Sequence, residues 1–164
     1  MDTHNMNPSG DIDEYSRVTS LDLSNEFLTE FPKEIVKYKN LTHLILDGKR
    51  IYSLPPEIGQ LSKLEYLSLE HCRLTSLPPE IGQLQDLEVL ILKNNELVTL
   101  PPEIGQLRNL QKLFLDYNKL TSLPREINQL HNLQVLSLWE NELSSFFAKT
   151  DNYGIWGQIG RASC

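Results

Sequence analysis

Residues 55–61 read PPEIGQL, and the same seven letters return at 78–84 and at 101–107. Looser copies, PKEIVKY from Pro32 and PREINQL from Pro124, keep the same 23-residue interval. A chemical site is usually written once, whereas a structural unit that stacks on itself is written many times. The period extends to what precedes each copy. From Leu41 the chain reads LTHLILDGKRIYSLPPEIGQLSK, from Leu64 LEYLSLEHCRLTSLPPEIGQLQD, from Leu87 LEVLILKNNELVTLPPEIGQLRN and from Leu110 LQKLFLDYNKLTSLPREINQLHN. A first copy, VTSLDLSNEFLTEFPKEIVKYKN, starts at Val18, and a sixth, LQVLSLWENELSSF, starts at Leu133 and then loses the pattern.

Apolar residues fall at columns 1, 4, 6, 11, 14, 18 and 21 of this unit. Leu67 and Leu69 alternate with polar neighbours, the signature of a short strand with one buried face, whereas Ile81 and Leu84 lie three apart, as on one face of a helical or 3₁₀ turn. Pro78 and Pro79 suit the crossing between them because proline fixes φ, donates no hydrogen bond and is tolerated in the first turn of a helix. Seven buried side chains at roughly 1.5–3 kcal/mol each do not offset the ordering of a whole unit at about 1–2 kcal/mol per residue. One unit alone is not expected to fold, and stacking is what makes it stable.

The pattern LxxLxLxxNxL followed by LPxEIGxL resembles the leucine-rich repeat, in the branch found in bacterial proteins and in Ras-group-related intracellular proteins of eukaryotes. The resemblance implies an α/β repeat fold: a right-handed solenoid arc with a parallel sheet on its concave side and short helical or 3₁₀ turns on the convex side. It implies six repeats over 18–146, starting at 18, 41, 64, 87, 110 and 133, with an N-terminal extension or cap over 1–17 and a C-terminal cap or tail over 147–164. Ile12 and Tyr15 are the candidate cover at one end. At the other, the stretch SSFFAKTDNYGIWGQIGRASC, with Phe146, Phe147, Tyr153, Ile155, Trp156 and Ile159, is expected to cap the last repeat, the alternative being the ragged end of a truncated array. The family's asparagine column falls on Asn95, Asn118 and Asn141, where an amide can bond the turns on both sides, with Cys72 in a slot the family also fills with cysteine. Glu26 and Lys49 depart from it. A charge in that slot is expensive, so those turns are expected to be more open and the first two units less regular, the alternative being that Lys49 lays its stem along the core and keeps its ammonium wet.

Composition narrows the function. A net charge of −7, from 22 acidic and 15 basic residues, argues against nucleic acid and anionic membrane surfaces, and the polar start MDTHNMNPSGDIDEY is no secretory signal or membrane span. The expected location is cytoplasmic, short of an export route the sequence does not reveal. The two cysteines, Cys72 and Cys164, make no disulfide framework; Cys72 reads as an inert core thiol and Cys164 as a reactive one by virtue of its terminal position. The four histidines, His4, His43, His71 and His131, lack metal-ligand spacing, and no phosphate loop or nucleophile elbow occurs. Neither an enzyme nor a cofactor is expected.

Function should lie where the units differ. Columns 3, 5 and 7 of the strand face out of the core onto the concave sheet and column 8 lies at its rim, on rungs roughly 4.8 Å apart. The candidate ligand-binding residues are therefore His43, Ile45, Asp47, Tyr66, Glu70, Val89, Ile91, Lys93, Lys112, Phe114, Asp116, Tyr117, Val135 and Trp139. Tyr66, Val89, Ile91, Phe114, Val135 and Trp139 would form one contiguous exposed patch, and such patches mark interaction sites. In column 7, Asp47 and Glu70 are neighbours, with Lys93 free to pair with an acid on either side. Two carboxylates about 5 Å apart resemble a retaining glycosidase pair, but an open sheet lacks the burial that tunes a catalytic acid, and a solvated acidic border accounts for them better. The function expected is a module that binds a protein or peptide on this face. The alternatives are a self-associating structural repeat or a fragment of a larger receptor or signalling protein.

Overall fold

Proline punctuation and the leucine spacing produce the same local structure in unit after unit. The computed structural model of the chain describes residues 14–143. A single turn of helix, Glu14–Arg17, is followed by six three-residue strands: β1 Ser20–Asp22, β2 His43–Ile45, β3 Tyr66–Ser68, β4 Val89–Ile91, β5 Lys112–Phe114 and β6 Val135–Ser137. Between them lie five 3₁₀ turns, Lys33–Lys37, Pro56–Gln60, Pro79–Gln83, Pro102–Gln106 and Arg125–Gln129. Pro55, Pro78 and Pro101 cap the middle three at ψ of 157°, 151° and 146°, the extended backbone that a following proline imposes. Each of those turns closes on a leucine, such as Leu84, whose N–H bonds the Ile81 carbonyl at 3.2 Å.

The strands form one parallel sheet in sequence order, β1-β2-β3-β4-β5-β6. The register is uniform, so that His43, Tyr66, Val89, Lys112 and Val135 stand side by side, as do Ile45, Ser68, Ile91, Phe114 and Ser137. Pairing continues beyond the strands, from the Leu46, Leu69 and Leu92 N–H groups to the Ser68, Ile91 and Phe114 carbonyls at 2.8–2.9 Å. Between the sheet and the turns runs one apolar core. Leu44, Leu67, Leu90 and Leu113 fill it from the strands and Ile58, Ile81 and Ile104 from the turns, all without solvent exposure. At the N-terminal end Tyr15 packs edge-on against Tyr38, with ring centroids 5.1 Å apart. Ile12 and the aromatic stretch after Leu143 lie outside the described residues.

The asparagine column joins the units. Asn95 accepts at Oδ1 from the Cys72 and Leu74 N–H groups and donates from Nδ2 to the Leu69, Leu92 and Lys93 carbonyls. Asn118 and Asn141 repeat this one and two units further on, to Leu97 and Leu120 N–H and to the Leu92 and Leu115 carbonyls. Cys72 substitutes its thiol, which donates to the Leu46 carbonyl at 3.0 Å. Lys49 corrects the expectation of a wet ammonium. It is 6% exposed, and its Nζ donates to the Ser24 and Glu26 carbonyls at 2.6 and 2.5 Å. The flexible stem carries a donor into the preceding turn, so the ladder continues without an amide.

Candidate functional site

The open face of the sheet carries the candidate residues. Tyr66, Val89, Ile91, Phe114 and Val135 are half-buried rather than fully exposed, because side chains on adjacent rungs cover one another. Ile45 is also half-buried, His43 and Lys112 are exposed, and Trp139 and Tyr117 are 50% and 55% exposed at the rim. His43 stacks on Tyr66 with centroids 5.6 Å apart and planes 15° apart, while its Nδ1 lies 2.9 Å from the Thr42 hydroxyl.

Column 7 departs from a solvated acidic border at Asp116. Asp116 is 4% exposed; its Oδ1 accepts from the Ser137 hydroxyl and, at 3.0 Å, from the Trp139 N–H. Asp47 makes the same clamp three units earlier, accepting from the Ser68 hydroxyl at 2.7 Å and the Glu70 N–H at 2.8 Å. Both aspartates therefore tie consecutive rungs together, and Ser68, 2% exposed, belongs to this clamp rather than to an open surface. The signal is present in the sequence as an aspartate followed 21 residues later by a serine, at Asp47 and Ser68 and at Asp116 and Ser137. Lys93 is committed to one side: its ammonium sits 3.4 Å from Asp116 Oδ2 and 4.8 Å from the Phe114 ring centroid. Among the described residues Lys93 makes no ion pair with Glu70, whose Oε1 instead lies 3.6 Å from His71 Nε2 and accepts from the Asn94 amide at 3.3 Å.

The rim has a backbone signature that residue chemistry concealed. Column 8 is left-handed in successive units, with φ of 72° at Gly48, 56° at His71, 54° at Asn94, 56° at Tyr117 and 53° at Glu140. Glycine, asparagine and to a lesser degree histidine enter that region, whereas tyrosine and glutamate do so at a cost. The turn is held by pairing across units, for instance from Tyr117 N–H to the Trp139 carbonyl at 2.7 Å. Gly48 and Asn94 were the available clue.

No group of metal-ligating side chains occurs among the described residues, and none of the described helices is long and apolar enough to cross a membrane. Burial pushes the Cys72 thiol up from 9.0 to about 11.

A parallel sheet backed by 3₁₀ turns, with a buried amide ladder at a 23-residue period, defines a solenoid of the leucine-rich-repeat class. The chain belongs to the leucine-rich repeat family: residues 57–150, more than half of it, match the model of a leucine-rich repeat region. It is similar to a leucine-rich-repeat protein of Leptospira interrogans, at 46% identity and a TM-score of 0.74 over 77% of this chain and 32% of that one. It is similar also to the ectodomain of the Arabidopsis thaliana membrane receptor kinase GASSHO1/SCHENGEN3, solved with Casparian strip integrity factor 2, at 38% identity and a TM-score of 0.62. The plant peptide hormone receptor RGFR1, solved with RGF2, matches at 36% identity and a TM-score of 0.63. These two alignments cover 68% of this chain but 14% and 19% of the receptors, so the chain spans a third or less of the structures it resembles. No curated protein matches it.

Proposed function

We propose that this chain is a recognition module that holds a protein or peptide on the open face of its sheet. The observation that carries this reading is the alignment of Tyr66, Val89, Ile91, Phe114 and Val135 on adjacent rungs, with Trp139 and Tyr117 exposed beside them. None of these side chains is needed to fill the core, which lies on the other face of the strands. Aromatic side chains on a rigid, half-desolvated platform are effective anchors because they bury much area with little loss of rotamer freedom. The two plant receptors solved with their partners support an interaction role for the fold.

The test is partner capture from a native lysate by the full chain and by the Tyr66→Ala/Phe114→Ala/Trp139→Ala variant. Capture should fall at least about tenfold, equivalent to about 1.4 kcal/mol, while circular dichroism and the unfolding midpoint stay close to wild type. Undiminished capture by a folded variant would remove the concave face as the site. Action in the cytoplasm belongs to the same proposal, and fractionation of cells expressing the chain tests it.

A further inference from the structure

The concave face contains one constellation twice. At Phe114 an aromatic ring, the Asp116 carboxylate and a cation meet, and the cation is the chain's own Lys93, 4.8 Å from the ring centroid and 3.4 Å from the carboxylate. At Tyr66 the same ingredients recur without a lysine or arginine. The Tyr66 ring is stiffened by its stack on His43, and Glu70 stands on the same rung and Asp47 on the preceding one, linked by the Glu70 N–H to Asp47 bond. Burial first, and then Asp47 and more weakly Glu70, hold the Tyr66 phenol above its usual range, partly offset by Ser68. Among the described residues Asp47 pairs with no cation, and Glu70 has only His71 at 3.6 Å. Glu65 and Glu88 directly precede β3 and β4 and form no ion pair with any described residue. The face is thus acidic at β3, while beyond it Ile91, Phe114 and Val135 are apolar and the exposed Lys112 stands between Val89 and Val135.

We propose that the ligand of this face is an extended peptide that sets an arginine or lysine over Tyr66, between Asp47 and Glu70, and an aromatic or aliphatic side chain against Ile91 and Phe114. This rests on the recognition reading above and specifies its partner. A guanidinium or ammonium gains from the ring face and from carboxylates together, as Lys93 does with Phe114 and Asp116 of the following rung. The distance from β3 to β5 is two rungs, about 10 Å, which about three residues of extended chain span. The cationic and the first apolar residue should therefore lie two to four positions apart.

Selection of phage-displayed random dodecapeptides on the full chain tests this. Enriched peptides should share an arginine or lysine two to four positions from Phe, Trp, Leu or Ile. Their affinity should fall at least about tenfold for Glu70→Gln, and the charge preference should turn to acidic peptides for Glu70→Lys. That reversal is a gain no unfolded protein could mimic. Enrichment of peptides without a basic residue, still lost in the Tyr66/Phe114/Trp139 alanine variant, overturns the cation proposal and leaves concave recognition standing. Peptides whose binding survives that alanine variant, or no enriched peptide at all, overturn both.

Discussion

Asn95 illustrates what a single side chain does in a stack of short units. Its amide satisfies five backbone groups drawn from two units; Asn118 also reaches the Leu92 carbonyl and the His71 N–H the Lys93 carbonyl, so the Cys72 and Leu74 N–H groups and the Leu69 carbonyl depend on it most. Leaving a buried polar group unpaired costs about 1–3 kcal/mol, so Asn95→Leu, though close in size, is expected to lower stability by at least about 2 kcal/mol in urea unfolding. An unchanged midpoint would show that water replaces the amide. Cys72 makes a different prediction from the same column. Its thiol is fully buried, and its pKa in the fold, about 11, lies above the ordinary 9.0. The fold therefore favours the neutral form. That contribution is whole below about pH 9 and is lost as pH rises through about 11, so stability should decline across that window. At neutral pH, in a Cys164→Ser background, an aromatic disulfide reagent should label Cys72 only as fast as the protein unfolds; prompt labelling of the native state would contradict its burial.

Among elements, the 3₁₀ turns stack because a glycine leaves room for the next one. A Cβ at Gly82 would lie 2.6 Å from the Glu103 carbonyl of the following turn, and one at Gly105 would lie 2.4 Å from that of Glu126. The obstacle is backbone, which cannot swing aside as a side chain can. Gly82→Ala should therefore cost about 1–3 kcal/mol, the usual range for overpacking, despite the better intrinsic helix propensity of alanine. Thermal unfolding measures it, and a stabilised variant would show that the turns have slack. The PPEIGQL string, identical in three units, is thus explained by contact between its own copies.

For the whole molecule, each unit touches only its neighbours, so stability is close to a sum of unit and interface terms. Removing residues 87–109 should bring Asn118 into the place of Asn95 against Cys72 and Leu74, with the sheet register preserved. The shortened chain is expected to fold cooperatively, with a smaller urea m-value in proportion to the surface it buries. Loss of cooperative unfolding would mean that the Lys93 and Asp116 pair, which this deletion breaks, holds more than its own rungs.

What the sequence by itself determined was everything that recurs: the period, the strand columns, the proline-capped turns and the amide ladder. Each of these is decided within one unit and then repeated, so a single chain displays several independent copies of the signal. What only the tertiary structure decided depends on pairs of letters in different units. Lys49 is buried because carbonyls of the preceding turn stand ready for its ammonium. Asp116 leaves the acidic border because Ser137 and Lys93, one unit to either side, enclose it. Tyr117 turns left-handed because Trp139 holds its N–H. The physical reason is common to all three: a side chain in a solenoid is solvated or buried according to its neighbours on adjacent rungs, about 5 Å away in space but more than twenty residues away in the chain.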